Sequence, residues 1–216
     1  MTVGKTPRGA SRVRWAMAWL PWVCVLALQA CSTATAPQGA SAEIITPSDE
    51  TDARRRARIR LELAVGYFEG GKVAFALDEV KQALANDPGF ADAYNLRGLI
   101  YMQLSDLPMA EESFRKALSV RPGDANVLHN HAWLLCLQQK YDEADKRFVE
   151  ALANPTYTAR TKSLMAQGLC QARAGDLVQA EKTFLRAYEL DTANPVVGYN
   201  LADIFFRTGE LTRAPF

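Results

Sequence analysis

Histidine and cysteine are scarce in this chain of 216 residues, with two of the first and four of the second. His129 and His131 stand two apart, a spacing that turns their side chains to different sides of a helix and excludes a chelating pair. No nucleophile–base triad, phosphate loop or metal-ligand cluster can be read, and the scattered Ser and Asp residues read as parts of solvated faces, so no enzyme is expected. An excess of one charge is missing too: the formal net charge is +1. Residues 1–30 hold Lys5, Arg8, Arg12 and Arg14 and no acid; without them 21 bases face 24 acids, about −3. That balance argues against nucleic acid as a bulk-charge partner. Long apolar runs are also absent. The stretch Trp15 to Leu28 is interrupted by Pro21 and too short for a comfortable membrane span.

The front is informative all the same. A basic segment, residues 1–14, followed by that apolar stretch forms the two regions of a secretory signal, residues 1–30. It ends in Leu28-Gln29-Ala30-Cys31, which resembles a bacterial lipobox, with Gln29 where a small residue is usual. The resemblance implies that Cys31 is acylated and becomes the new N-terminus; the other reading is a plain cleaved signal followed by an unrelated cysteine. Several acyl chains anchor stably where one is marginal. Ser32, rather than Asp, after the cysteine implies sorting to the outer membrane. Residues 31–53 then form a lipidated N-terminus and a Ser/Thr/Ala/Pro-rich flexible linker. The run Arg54-Arg55-Arg56-Ala57-Arg58 opens the first helix. It reads either as a solvated face or as a site for anionic lipid or an acidic partner.

Behind the linker, one pattern repeats. A small residue recurs as Ala76, Ala110, Ala144, Ala180 and Ala214, at steps of 34, 34, 36 and 34 residues. Four positions later stand Val80, Phe114, Phe148 and Phe184, and the next small residue recurs as Ala83, Ala117, Ala151 and Ala187. With Gly98, Tyr101 and Pro122, the stretch Ala91 to Pro122 resembles a tetratricopeptide (TPR) repeat, two short antiparallel helices. The expected fold is therefore all-α: a TPR solenoid of helix pairs in a right-handed superhelix over residues 54–216. The repeats are about 57–90, 91–124, 125–160 and 161–194, with a partial one at 195–216. The two extra residues fall in the loop Pro155-Thr156-Tyr157-Thr158, read as an outward excursion. Turns are expected at Gly70-Gly71, Ser105-Asp106, Lys140-Tyr141, Gly175-Asp176 and Gly209-Glu210.

In TPR geometry the first helices line a concave face, with recurrent positions facing the groove. Those positions give Asn95, Leu99 and Met102, then Asn126, His129, Asn130, Trp133 and Leu137, then Met165 and Leu169. A groove of apolar and amide side chains suits a peptide held by pockets and backbone contacts. It does not suit the two-carboxylate clamp of chaperone-binding TPRs, because Asn and apolar residues occupy the clamp positions. Trp133 reads equally as a groove residue or as core between repeats. Cys136 and Cys170 lie late in adjacent first helices, whose axes run about 8–10 Å apart. Either a disulfide, which needs Cα atoms within roughly 7 Å, or two buried thiols satisfies that placement.

Val127 to Cys136 (VLHNHAWLLC), Phe148 to Tyr157 (FVEALANPTY), Gly168-Leu169-Cys170 and Ala93 to Tyr101 carry a more specific likeness. Over residues 57–214 the chain resembles the type IV pilus biogenesis/stability lipoproteins, the PilF/PilW pilotins. His131 and Ala132 stand where an aromatic and a glycine are more usual. The resemblance implies a non-enzymatic lipoprotein on the periplasmic face of the outer membrane, with no cofactor beyond the covalent lipid on Cys31. Its implied partners are secretin subunits, which such proteins help to localise and multimerise. An adaptor or regulator of cell-wall enzymes, or a factor in general periplasmic protein assembly, is the alternative. The family generally continues into a sixth repeat, whereas Ala214-Pro215-Phe216 falls within repeat five. A truncated product or fragment with a frayed end is therefore expected, with Tyr199, Leu201, Ile204 and Phe205 partly uncovered.

Overall fold

Thr51 adopts extended backbone and its hydroxyl accepts the N–H of Arg54 at 3.1 Å, which starts the first helix. In the computed structural model, residues 50–210 and residue 212 are described. The signal, Cys31, most of the linker and Ala214-Pro215-Phe216 lie outside them. Thr51 and Asp52, placed in the linker by composition, are the cap and first turn of α1.

Among the described residues there are nine helices and no strands. They are α1 (Asp52–Glu69), α2 (Val73–Asn86), α3 (Ala91–Gln103), α4 (Leu107–Val120), α5 (Ala125–Leu137), α6 (Tyr141–Ala153), α7 (Arg160–Ala174), α8 (Leu177–Leu190) and α9 (Pro195–Thr208). Consecutive helices pack as pairs, α1 with α2 through α7 with α8. The odd-numbered helices also touch one another in sequence, whereas the even-numbered ones touch only odd-numbered ones. The first helices of the repeats therefore form one continuous wall. No described helix is long and apolar enough to cross a membrane.

The period is visible in burial. Ala76, Ala110, Ala144 and Ala180, then Val80, Phe114, Phe148 and Phe184, then Ala83, Ala117, Ala151 and Ala187 are all buried. Capping recurs as well: Asp106, Asp124, Asp176 and Asn194 each accept backbone N–H groups at the start of α4, α5, α8 and α9. Within each pair the turn needs one residue of positive φ, at Gly71, Ser105, Gln139, Gly175 and Gly209. Those positions keep the same spacing as the alanines. In repeat three the residue that turns the chain is thus Gln139, one before the expected Lys140-Tyr141.

The arginine run does not form a free basic patch. Arg54 pairs with Asp87, donates to Gly89 O at 3.2 Å and lies 4.5 Å over the Phe90 ring. Arg56 donates to Asn86 at 3.0 Å, Arg58 pairs with Glu50 and Glu62, and Arg60 pairs with Glu79. The bonds of Arg54, Arg56 and Arg60 hold α1 against α2 and its exit loop, whereas those of Arg58 stay within α1 and the residue that precedes its cap.

Two expectations need correction. Leu201, Ile204 and Phe205 are buried, because the face of α9 that carries them packs on Ala172, Ala180 and Phe184. Tyr199 is exposed as expected, at 74%, and so is Phe206, at 71%. The loop after α6 does not simply turn outward. Tyr157 folds back into a cluster with Ala125, Leu128 and Ala151.

Candidate functional site

Helices α3, α5 and α7 stand side by side, and between them lies a hollow of about 340 Å³. Leu99 and Met102 come from α3, His129, Asn130 and Trp133 from α5, and Lys162, Met165, Ala166 and Leu169 from α7. On α7 the spacing of 162, 165, 166 and 169 keeps all four residues on one helix face. Seven of the residues expected in the groove thus meet at one place. Asn95 is their neighbour, its Oδ1 accepting from Asn130 Nδ2 at 3.0 Å, which ties α3 to α5. Asn126 and Leu137 are exposed and do not line the hollow.

Trp133 satisfies both of its readings. It packs on the buried cluster of Ala132, Leu135 and Phe148, and it also walls the hollow. The Arg173 guanidinium lies 4.9 Å from the centre of its ring.

His129 is buried, with Nδ1 2.7 Å from Ser163 Oγ, and that hydroxyl is 2.9 Å from Tyr157 OH. Burial, with the nearby Lys162 charge adding to it, lowers the His129 pKa to about 4. The ring is therefore neutral near pH 7 and offers a hydrogen-bonding edge rather than a charge. Burial likewise raises the Tyr157 phenol above its ordinary value. Ser163 is sealed at 0% exposure, so its hydroxyl cannot reach a substrate. The His129–Ser163–Tyr157 chain instead braces α5, α7 and the loop between α6 and α7.

Cys136 and Cys170 form a disulfide, with Cα atoms 5.8 Å apart, that joins α5 to α7. On the other side of α7, Asp145 accepts from the amides of Gln167 and Gln171, both at 2.8 Å. This carboxylate and the hydroxyls of Ser113 and Ser163 are structural groups, contrary to the reading of Ser and Asp as solvated. A second hollow of about 610 Å³ opens between α6, α7 and α8, lined by Asp142, Asp145, Lys146 and Asp176 among others. It shares no residue with the first. No described group of three or more His, Cys, Asp or Glu is placed to hold a metal ion.

The sequence reading missed Lys162, Ala166 and Arg173. The helix-face periodicity of α7 contains the signal: continuing the 162, 165, 166, 169 series by one more turn gives 173. Cations therefore do stand on the first helix of repeat four, in the registers that Asn126 and Leu137 hold in repeat three.

The tetratricopeptide repeat family matches residues 91–124 and, in a second description, residues 130–195. The solved structure of PilW, described as a widely conserved type IV pilus biogenesis factor, is 31% identical, with a TM-score of 0.69. The likeness covers 73% of this chain and 72% of that one. The chain belongs to the PilF/PilW family of TPR proteins. PilF of Pseudomonas aeruginosa, a type IV pilus assembly protein, is 29% identical over 154 residues. That match takes in 71% of this chain and 61% of the PilF sequence, so the chain spans about six-tenths of that curated relative. The PilF structure superposes with a TM-score of 0.72 over 76% of this chain and 74% of that one, at 27% identity. The two matched stretches of this PilF/PilW protein contain every residue lining the hollow except His129, which falls between them.

Proposed function

We propose that this chain is a non-enzymatic outer-membrane lipoprotein of type IV pilus biogenesis that binds secretin subunits and promotes their localisation and multimerisation. The observation that carries the proposal is the family likeness to PilW and PilF, which covers about three-quarters of the chain. The mechanism is tethered capture. A lipid on Cys31 holds the protein at the membrane, the linker supplies reach, and the groove between α3, α5 and α7 grips a segment of the subunit. Capture beside the membrane raises the effective concentration at which subunits meet. Nothing in this scheme calls for bond-making chemistry, in keeping with a hollow lined by apolar and amide groups and a sealed Ser163.

Heat-resistant secretin multimers in outer-membrane fractions test the reading, compared among wild type, a deletion strain and Cys31→Ser. Loss of multimers in the deletion supports it, and a partial loss in Cys31→Ser measures the share owed to the anchor. Normal multimers in the deletion overturn it and direct attention to cell-wall enzymes.

A further inference from the structure

Lys162 and Arg173 stand at opposite ends of the apolar face that α7 turns to the hollow. Eleven residues separate them, or about 16 Å along the helix at about 1.5 Å per residue. Met165, Ala166 and Leu169 lie between them on the same face. Both cations are exposed, and among the described residues neither is paired with a carboxylate. This sets them apart from Arg207, which also faces the neighbouring recess but is held by Asp203 at 3.6 Å and by Ala172 O at 3.4 Å. Arg173 is pre-positioned, since its guanidinium lies over the Trp133 ring, 4.9 Å from the centre. The Lys162 charge already reaches into the hollow, where it adds to the burial that keeps His129 neutral. No Asp or Glu lines the hollow; Arg173 stands beyond its lining, in the neighbouring recess, where Asp203 is engaged by Arg207.

On the groove reading above, we infer that the hollow takes an extended acidic peptide. An apolar side chain fills the space beside Trp133, and two flanking carboxylates meet Lys162 and Arg173. In an extended chain at about 3.3 Å per residue, with side chains alternating in direction, a 16 Å gap puts two carboxylates on one face about four or six residues apart. Charge complementarity selects this partner. An anion answers both unpaired cations, whereas a neutral apolar segment leaves them unused and a basic one is repelled. The amides of Asn95 and Asn130 lie at the α3 side, one already bonded to the other, and they form a polar rim for the peptide backbone.

A displayed library of random decapeptides, selected in parallel on the full-length chain and on its Lys162→Glu/Arg173→Glu variant, tests the inference. Both positions are exposed, so the variant is expected to match wild type in circular dichroism and melting. Wild type should enrich Asp or Glu at two positions about four or six apart around Leu, Ile or Phe, and the variant should enrich Lys or Arg there. A recovered acidic peptide should bind wild type at least tenfold tighter than its Asn/Gln analogue, with the gap closing as salt is raised. Lys162→Gln/Arg173→Gln should lose the acid preference without gaining one for bases. Peptides with no acidic enrichment, or the same peptides from wild type and the charge-reversed protein, would overturn it. The selection contains no secretin. Normal secretin multimers in a deletion strain would therefore sink the proposed function while leaving the peptide chemistry to stand or fall on its own.

Discussion

Gly98 lies flat against the ring of Phe114: a Cβ on Gly98 would sit 2.5 Å from Phe114 Cε1. Gly168 and Phe184 repeat the arrangement one full repeat beyond α5, with a Cβ falling 2.9 Å from the ring. In the first repeat the same two positions hold Ala64 and Val80, a larger residue facing a smaller one. In these three repeats the spacing between paired helices is shared between the two side chains, whereas repeat three admits both Ala132 and Phe148.

Gly98→Ala should therefore destabilise the fold by about 1–3 kcal/mol, the usual cost of overpacking, despite the gain in helix propensity of about 1 kcal/mol. Gly98→Ala/Phe114→Val, which copies the first repeat, should recover part of the loss. Urea denaturation of the two single variants and the double variant gives the coupling. Purely additive effects would contradict the shared spacing.

At two turns an ordinary L-residue occupies the left-handed region, Ser105 at φ 60° and Gln139 at φ 62°. Such a conformation costs a residue with a Cβ about 1–2 kcal/mol. Gln139→Gly and Ser105→Gly should each raise stability by up to about 1 kcal/mol once the entropy of the added glycine is deducted. The readout is an increase in Tm, and a decrease in both variants would count against strain at these turns.

Reducing the Cys136–Cys170 bond should lower stability by about 2–4 kcal/mol, because it releases a loop closed across 34 residues. Melting with and without dithiothreitol measures the loss. Cys136→Ala/Cys170→Ala should melt where the reduced protein melts and should no longer respond to reductant.

Acid should act through His129. The unfolded chain takes up a proton at this residue near pH 6.5, and the folded chain does so only at about 4. Stability is then fully present above pH 6.5 and declines as pH falls from 6.5 toward 4, by up to about 3 kcal/mol. His129→Gln should flatten that part of the pH–stability curve. An unchanged slope would place the titrating group elsewhere.

The repeats were readable because three registers of small and large residues keep one period, and each residue in them is buried for the same reason: two helices must touch. The groove residues on α3 and α5 followed from that period. On α7 the two-residue insertion before the helix blurs the count, and Lys162 and Arg173 emerge only once the helix face is known. The burial of Ser163 could not be read locally, since it depends on Tyr157 folding in from a loop and on His129 from another repeat. The end of the chain misled for a related reason. Counting apolar residues on α9 does not distinguish those facing α8 from those facing away, and Phe206 rather than Phe205 turned out to be exposed.

The bridge between α5 and α7 also bears on how this solenoid carries load. Repeats that touch only their neighbours behave as springs in series, each interface stretching under tension. A covalent staple across the junction of repeats three and four makes that spring rigid. Under tension along the solenoid, strain collects at the unstapled junctions on either side, while the wall formed by Trp133 and Leu169 keeps its curvature.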